Sequence, residues 1–310
     1  MKELYPLAGI VTVLNTPFTD HDTIDDLGLR RNVNLAISSG VAGFLIPAMA
    51  SEVNKLSRPE RSLLVETVLD EAAGRVPVFA GGASPNREQR AKILQDLQRL
   101  GCDKVLLQIP FENEVQYRAD VLAAAEFGFD VLMLQDWDFG GGGLPLRLIC
   151  ELFEEIEAFR CLKIETVPAG VKYSAVLEAT GGCLNVSGGW AVMQMLEGLK
   201  RGVHAFMPTG MHDIYAAIYA YYHTGRQSEA QSLFYEILPV LCFSNQHLDI
   251  SIHFFKRLLW RQGIYTTPRV REPILPFDKI HQAEADRLIE RVLSLSTGLE
   301  TQQAKGRPQQ

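Results

Sequence analysis

Cys161-Leu162-Lys163-Ile164-Glu165-Thr166 is an apolar run interrupted by a charge. Its length and composition read as a short buried strand. An ammonium buried in such a strand is costly unless it is paired or gives up its proton. Two readings follow. Either Lys163 is an amine in a dry pocket, able to condense with a carbonyl to a Schiff base, or it is a strand-end lysine that reaches solvent or pairs with Glu165. Side chains alternate across a strand, so Lys163 and Glu165 share one face while Leu162 and Ile164 share the other.

Outward from this run, similar apolar stretches recur: Gly9–Leu14, Gly43–Pro47, Val76–Ala80, Lys104–Ile109, Asp130–Leu134, Leu184–Ser187 and Ala205–Pro208. Helical spacing fills the gaps. The segment 58–73 follows Ser57, an N-cap residue, with Pro59 in its first turn, and 87–100 ends at Gly101, a C′ residue. Further helices are expected near 115–127, 145–158, 169–180 and 190–201. Buried strands alternating with helices imply a parallel sheet covered by helices, and eight units in about 210 residues fit a (β/α)8 TIM barrel. A doubly wound open sheet is the alternative, but the glycine fingerprints it carries after its first strand do not occur there. The barrel is assigned to residues 1–211. A C-terminal helical region spans 212–298, with helices at 213–223, 227–243, 246–262 and 280–296, and a polar tail at 299–310 is expected to lack structure. Lys163 thus falls on the sixth strand, near the C-terminal end where barrel active sites are built.

Composition narrows the function classes. Of 310 residues 47% are hydrophobic and 22% charged, and the net charge of −7 argues against nucleic acid as a partner. No apolar run has the length of a membrane span, and the N-terminus lacks the layout of a signal peptide. Five cysteines without CxxC spacing suit reduced thiols in a cytoplasmic protein. The seven histidines are scattered without metal-ligand spacing, so no metal and no cofactor are expected.

An ordered set of motifs resembles the dihydrodipicolinate synthase / N-acetylneuraminate lyase superfamily of class I, Schiff-base aldolases, over residues 7–295. The motifs are Thr16-Pro17-Phe18, Gly40-Val41-Ala42-Gly43-Phe44, Leu56-Ser57-Arg58-Pro59-Glu60-Arg61, Leu162-Lys163-Ile164-Glu165, Ser187-Gly188-Gly189 and the final Gly263…Val270-Arg271-Glu272-Pro273. The resemblance implies that Lys163 forms an imine with a 2-oxo acid and that the chain is a homo-oligomer, commonly a tetramer.

Two stretches depart from the family pattern. Where the family carries a hydroxyl-rich Gly-Thr/Ser-Thr-Gly-Glu turn for the substrate carboxylate, this chain has Ala48-Met49-Ala50-Ser51-Glu52. Where the fifth strand normally ends in Tyr-Asn, it has Gln135-Asp136. Glutamine hydrogen-bonds but cannot titrate, so proton transfer falls to Asp136, Glu165 or Tyr173. Lys172 is expected in solvent. The run Gly140–Gly143 is either a mobile loop over the barrel mouth or, the reading favoured here, a flexible surface connection. The carboxylate end of the substrate is assigned to Ala48, Met49, Ala50, Ser51 and Gly188, and Met207 to the pocket floor.

The leading expectation is a lyase of aldolase or dehydratase type acting through Lys163 on a 2-oxo acid or 2-keto-3-deoxy sugar acid, and not a typical dihydrodipicolinate synthase. The alternatives are a catalytically impaired relative that binds a carbonyl metabolite, and a metal-dependent barrel lyase using Asp136, Asp138 and Glu165.

Overall fold

The structure is a computed structural model that describes residues 2–138 and 140–306. Eight parallel strands close into a barrel in sequence order: β1 (Gly9–Val13), β2 (Gly43–Ile46), β3 (Val78–Gly81), β4 (Lys104–Leu107), β5 (Val131–Asp138), β6 (Phe159–Thr166), β7 (Asn185–Gly188) and β8 (Ala205–Phe206). Strand β8 pairs back onto β1, which leaves no open edge. The helices between them are α1 (Asp26–Ser38), α2 (Arg58–Ala72), α3 (Arg87–Arg99), α4 (Glu114–Ala125), α5 (Leu146–Glu155), α6 (Gly170–Ala179) and α7 (Met195–Lys200).

The helix starts follow local chemistry. Ser57 accepts from the Glu60 amide while the Glu60 side chain returns to the Ser57 amide, so α2 opens on a reciprocal cap with Pro59 in its first turn. Asn86 and Asn113 cap α3 and α4 from one side only, accepting the Gln89 and Gln116 amides. Gly101 takes φ +77° just past α3, a conformation that favours glycine.

Strand alternation divides the apolar residues into two cores. Inside the barrel sit Val11, Val13, Leu45, Phe79, Leu106, Met133, Cys161 and Met207. The second core lies between the strands and their helices, and holds Ile10, Phe44, Ile46, Leu134, Leu162, Ile164 and Phe206. After β8 come α8 (His212–His223), α9 (Gln227–Ser244), α10 (Leu248–Arg261) and α11 (Lys279–Gly306). Their apolar faces join the same outer core through Ile214, Ile218, Phe254 and Leu288. Polar ties add to this: the Tyr265 hydroxyl donates to the Asn15 carbonyl at 3.1 Å, and Thr267 donates to the Phe18 carbonyl at 2.6 Å.

Helix α11 runs through Gly306, so residues 299–306 of the expected unstructured tail are helical; 307–310 lie outside the described residues. Glu, Gln, Ala and Lys are good helix formers, and extending an existing helix needs no new nucleus. No helix among the described residues is long and apolar enough to cross a membrane.

Candidate active site

The C-terminal ends of the strands open into a cavity of about 590 Å³ that contains Lys163. Registers bring the inward side chains of β5 and β6 level: Gln135 pairs with Lys163, and Trp137 with Glu165. Both Lys163 and Glu165 are buried, and Lys163 Nζ lies 3.1 Å from Glu165 Oε1. That same oxygen accepts the Trp190 backbone N–H at 2.7 Å, and the Gln135 side-chain amide donates to Glu165 Oε2. The carboxylate is therefore held from two sides and aimed at the amine. Gly189 makes the approach possible: a Cβ there would stand 1.9 Å from Glu165 Oε1 and 2.5 Å from Lys163 Cε. Lys163 is thus a buried lysine paired with Glu165 and lining the pocket.

The turn after β2 forms one wall. Ala48, Met49 and Ala50 line the cavity, but Ser51 does not. Its hydroxyl donates to the Leu14 carbonyl at 2.5 Å and accepts the Ala48 N–H at 3.0 Å, so it fastens the turn instead of facing a ligand. Asn15 and Thr16 add donors to the carbonyls of Ala50 and Ser51. Beyond the turn Glu52 adopts φ +58°, and its buried carboxylate meets Lys256 Nζ at 2.5 Å, the Arg271 N–H at 2.9 Å and Lys55 Nζ at 3.2 Å. Burial draws the Lys256 ammonium down to about 8, with Glu52 opposing the shift. Lys256 and Arg271 both stack on the Phe18 ring, each 4.2 Å from its centroid. Motifs far apart in sequence thus meet in one buried cluster that sets the position of the 48–51 wall.

Several expected site residues lie elsewhere. Asp136 follows the inward Gln135 and so faces out of the barrel, where it accepts the Leu144 N–H at 2.8 Å and pairs with Lys172 Nζ at 3.2 Å. Burial raises its pKa, against the pull of the Leu144 N–H and Lys172. Tyr173 is fully buried on α6; its hydroxyl would be 2.6 Å from a Cβ on Gly188, and neither residue lines the cavity. Burial, followed by the Glu165 charge, pushes its pKa up, which disfavours a phenolate. The strand's inward set is Asn185 and Ser187, so Gly188 turns its face to the helix layer. Lys172, expected in solvent, donates to the carbonyls of Gly142 and Leu144. Asp138 accepts the N–H groups of Gly140 and Gly143. The glycine run is therefore strapped down by Asp136, Asp138 and Lys172; Phe139 lies outside the described residues. Asp136 and Asp138 thus share the outer side of β5 while Glu165 lines the cavity, and the described residues hold no group of three side chains placed to bind a metal ion.

The C-terminal helices supply a wall that the sequence did not announce. Tyr215, Asn245, Gln246, His247, Leu248, Ser251 and Phe255 line the cavity together with Gln108, Trp137, Trp190, Val192, Met207 and Thr209. Ser251, a lone hydroxyl between Ile250 and Ile252 on α10, was the one available signal.

A sequence profile of the dihydrodipicolinate synthetase family matches residues 6–292. The chain belongs to this family. Among curated relatives in it, L-2-keto-3-deoxyarabonate dehydratase of Azospirillum brasilense is 27% identical over 281 residues, 86% of this chain and 88% of that protein. The 4-hydroxy-tetrahydrodipicolinate synthase of Methanosphaerula palustris is 26% identical over 92% of this chain and 98% of its own. That of Methanothermobacter thermautotrophicus is 31% identical, but over 36% of this chain, and the match spans only 39% of the relative's length. In fold, the dihydrodipicolinate synthase of Rhodopseudomonas palustris superposes with a TM-score of 0.85 at 20% identity, covering 94% of this chain and 100% of that one. At that identity the likeness establishes the family's barrel alone.

Proposed function

We propose that this member of the dihydrodipicolinate synthetase family is a Schiff-base lyase of dehydratase or aldolase type, acting through Lys163 on a 2-oxo acid of the 2-keto-3-deoxy sugar acid kind. The single observation that carries this is the buried Lys163 Nζ held 3.1 Å from a doubly anchored carboxylate that lines the same cavity.

Lys163 passes its proton to Glu165 and attacks the C2 carbonyl; loss of water leaves a protonated imine, an electron sink. Glu165 is the proton carrier for the adjacent C3, since Asp136 and Tyr173 stand outside the cavity. In dehydration the C3 proton goes to Glu165, the enamine pushes out the C4 hydroxyl, and that hydroxyl leaves as water with the proton Glu165 returns. Hydrolysis of the imine frees Lys163. Gln135 cannot titrate; it orients Glu165 through Oε2. The substrate carboxylate is assigned to the Met49 and Ala50 amides, which have no acceptor inside so short a helix, the Ala48 N–H being taken by Ser51. Met207 closes the floor.

This chain is not a typical dihydrodipicolinate synthase: Gln135 stands for the strand-five tyrosine, and Met49 and Ala50 replace the hydroxyls of the carboxylate turn. A cytoplasmic homo-oligomer is part of the same reading. Incubation with 2-keto-3-deoxy pentonates and hexonates, followed by NMR, tests it. Loss of water or release of pyruvate is expected; a folded protein that turns over none of them overturns the assignment.

A further inference from the structure

The cavity is larger than a 2-oxo acid head needs, within the range of about 300–1,000 Å³ that accommodates drug-sized ligands. Its remaining wall is distinctive in which polar groups it offers. The side chains of Ser251, Asn245 and Thr209 line it and make no hydrogen bond to another described residue. Gln108 directs its amide N–H only at the Met49 sulfur, 3.9 Å away, and its carbonyl oxygen is unused. Neutral polar side chains in a concave site, surrounded by Trp190, Val192 and Phe255, are donors and acceptors awaiting a partner. A hydroxyl both donates and accepts, and so matches this mixed set.

Charge separates the ligand classes further. Among the described lining residues the ionisable side chains are Lys163 and Glu165, paired with each other, Tyr215, whose pKa burial pushes up, and His247. His247 stands at the rim with its side chain 54% exposed, and its Nδ1 already accepts the Asp249 N–H. The wall therefore presents no fixed cation to a second carboxylate or a phosphate, which would lose water there without an ionic partner.

We propose that Ser251 and Asn245 from the α9–α10 corner, with Thr209 and Gln108, form the subsite for the substrate's tail, and that this subsite selects an uncharged, hydroxyl-bearing tail over an anionic one. The assignment rests on the imine reading of Lys163 and adds what lies beyond the head. It gives the C-terminal helical region a direct part in specificity.

The test is borohydride trapping by the full-length protein of three ligands at equal concentration: pyruvate, 5-hydroxy-2-oxopentanoate and 2-oxoglutarate. The hydroxylated acid is expected to trap at least about tenfold more readily than the dicarboxylate. Its advantage over pyruvate should fall roughly 3- to 10-fold in Asn245→Ala and in Ser251→Ala, the loss of one neutral hydrogen bond. Asn245→Arg should narrow or invert the preference against 2-oxoglutarate. Should Ser251→Ala, on a buried helix face, fail to fold, Thr209→Val and the Asn245 variants carry the comparison. Pyruvate trapped without discrimination between the two longer acids, or discrimination unmoved by these variants, overturns the subsite alone. No trapping of any ligand overturns the imine reading and the subsite with it.

Discussion

Gly189→Ala isolates the contact on which the site depends. A methyl group at this position would lie 1.9 Å from Glu165 Oε1, 2.4 Å from its Cδ and 2.5 Å from Lys163 Cε. Favourable carbon contacts are about 3.5–4.0 Å apart, so the carboxylate and the lysine stem must each retreat by about 1 Å or more. Glu165 cannot do so and keep both the Trp190 N–H at 2.7 Å and the Gln135 amide. Displacement of that size from a reacting geometry costs on the order of 100-fold in rate. The variant should thus lose about 100-fold in kcat/KM on its best sugar-acid substrate, and a similar factor in the rate of imine trapping. Circular dichroism and Tm establish that it folds. Glu165→Gln is the companion, because it keeps the shape and removes the oxygen that takes the Lys163 proton; it should slow imine trapping as well and fail to turn over. Activity of Gly189→Ala within threefold of the parent would refute the reasoning, since the Lys163–Glu165 geometry would then not matter.

Other perturbations read other parts of the account. Tyr173→Phe should leave turnover within twofold of the parent, and stability equal or slightly higher, because the lost hydroxyl is buried, unpartnered and outside the cavity; a drop beyond tenfold would return the phenol to the proton path. Lys256→Met takes the nearest cation from the buried Glu52 carboxylate, leaving it Lys55 and the Arg271 N–H, and should cost up to about 3 kcal/mol in urea unfolding, part of it restored by adding Glu52→Gln. His212 is fully buried between Thr12 and Asn32, and burial brings its pKa down to about 4 from 6.5. The unfolded chain therefore binds this proton first. The stabilising contribution is intact above pH 6.5 and is lost as pH falls towards 4, up to about 3 kcal/mol in all. His212→Gln should flatten the fall in urea midpoint across that window; an unchanged slope would assign it to carboxylates.

The barrel was legible because its signal is local and repeated. Apolar runs such as Lys104–Ile109 and caps such as Ser57 with Glu60 each mark one element, and their alternation marks the fold. Ends were less clear: β5 extends to Asp138, beyond its apolar run, because polar side chains at the barrel mouth still pair through their backbones, and β6 begins at Phe159, ahead of its run. Parity along β6 correctly joined Lys163 to Glu165. The same rule applied to β5 turns Asp136 away from Gln135, and it was this rule that the assignment of Asp136 to the site overlooked. Tyr173 and Ser51 were misjudged because proximity in sequence does not say which side of a strand or turn a side chain takes. Lys172 was expected in solvent, yet orphan carbonyls in the glycine run give its ammonium ready acceptors. The wall from Asn245 to Ser251 depends on how α10 docks over the barrel, a tertiary fact with almost no trace in helix periodicity.

The central claim is that Lys163 is an imine-forming nucleophile. Its most direct test is reduction with sodium borohydride in the presence of pyruvate and 2-keto-3-deoxy sugar acids, read by intact mass and peptide mapping. The account predicts one stoichiometric adduct, on Lys163, that is absent in Lys163→Met. A folded protein that gives no adduct with any of these acids, or one mapped to another lysine, would contradict it.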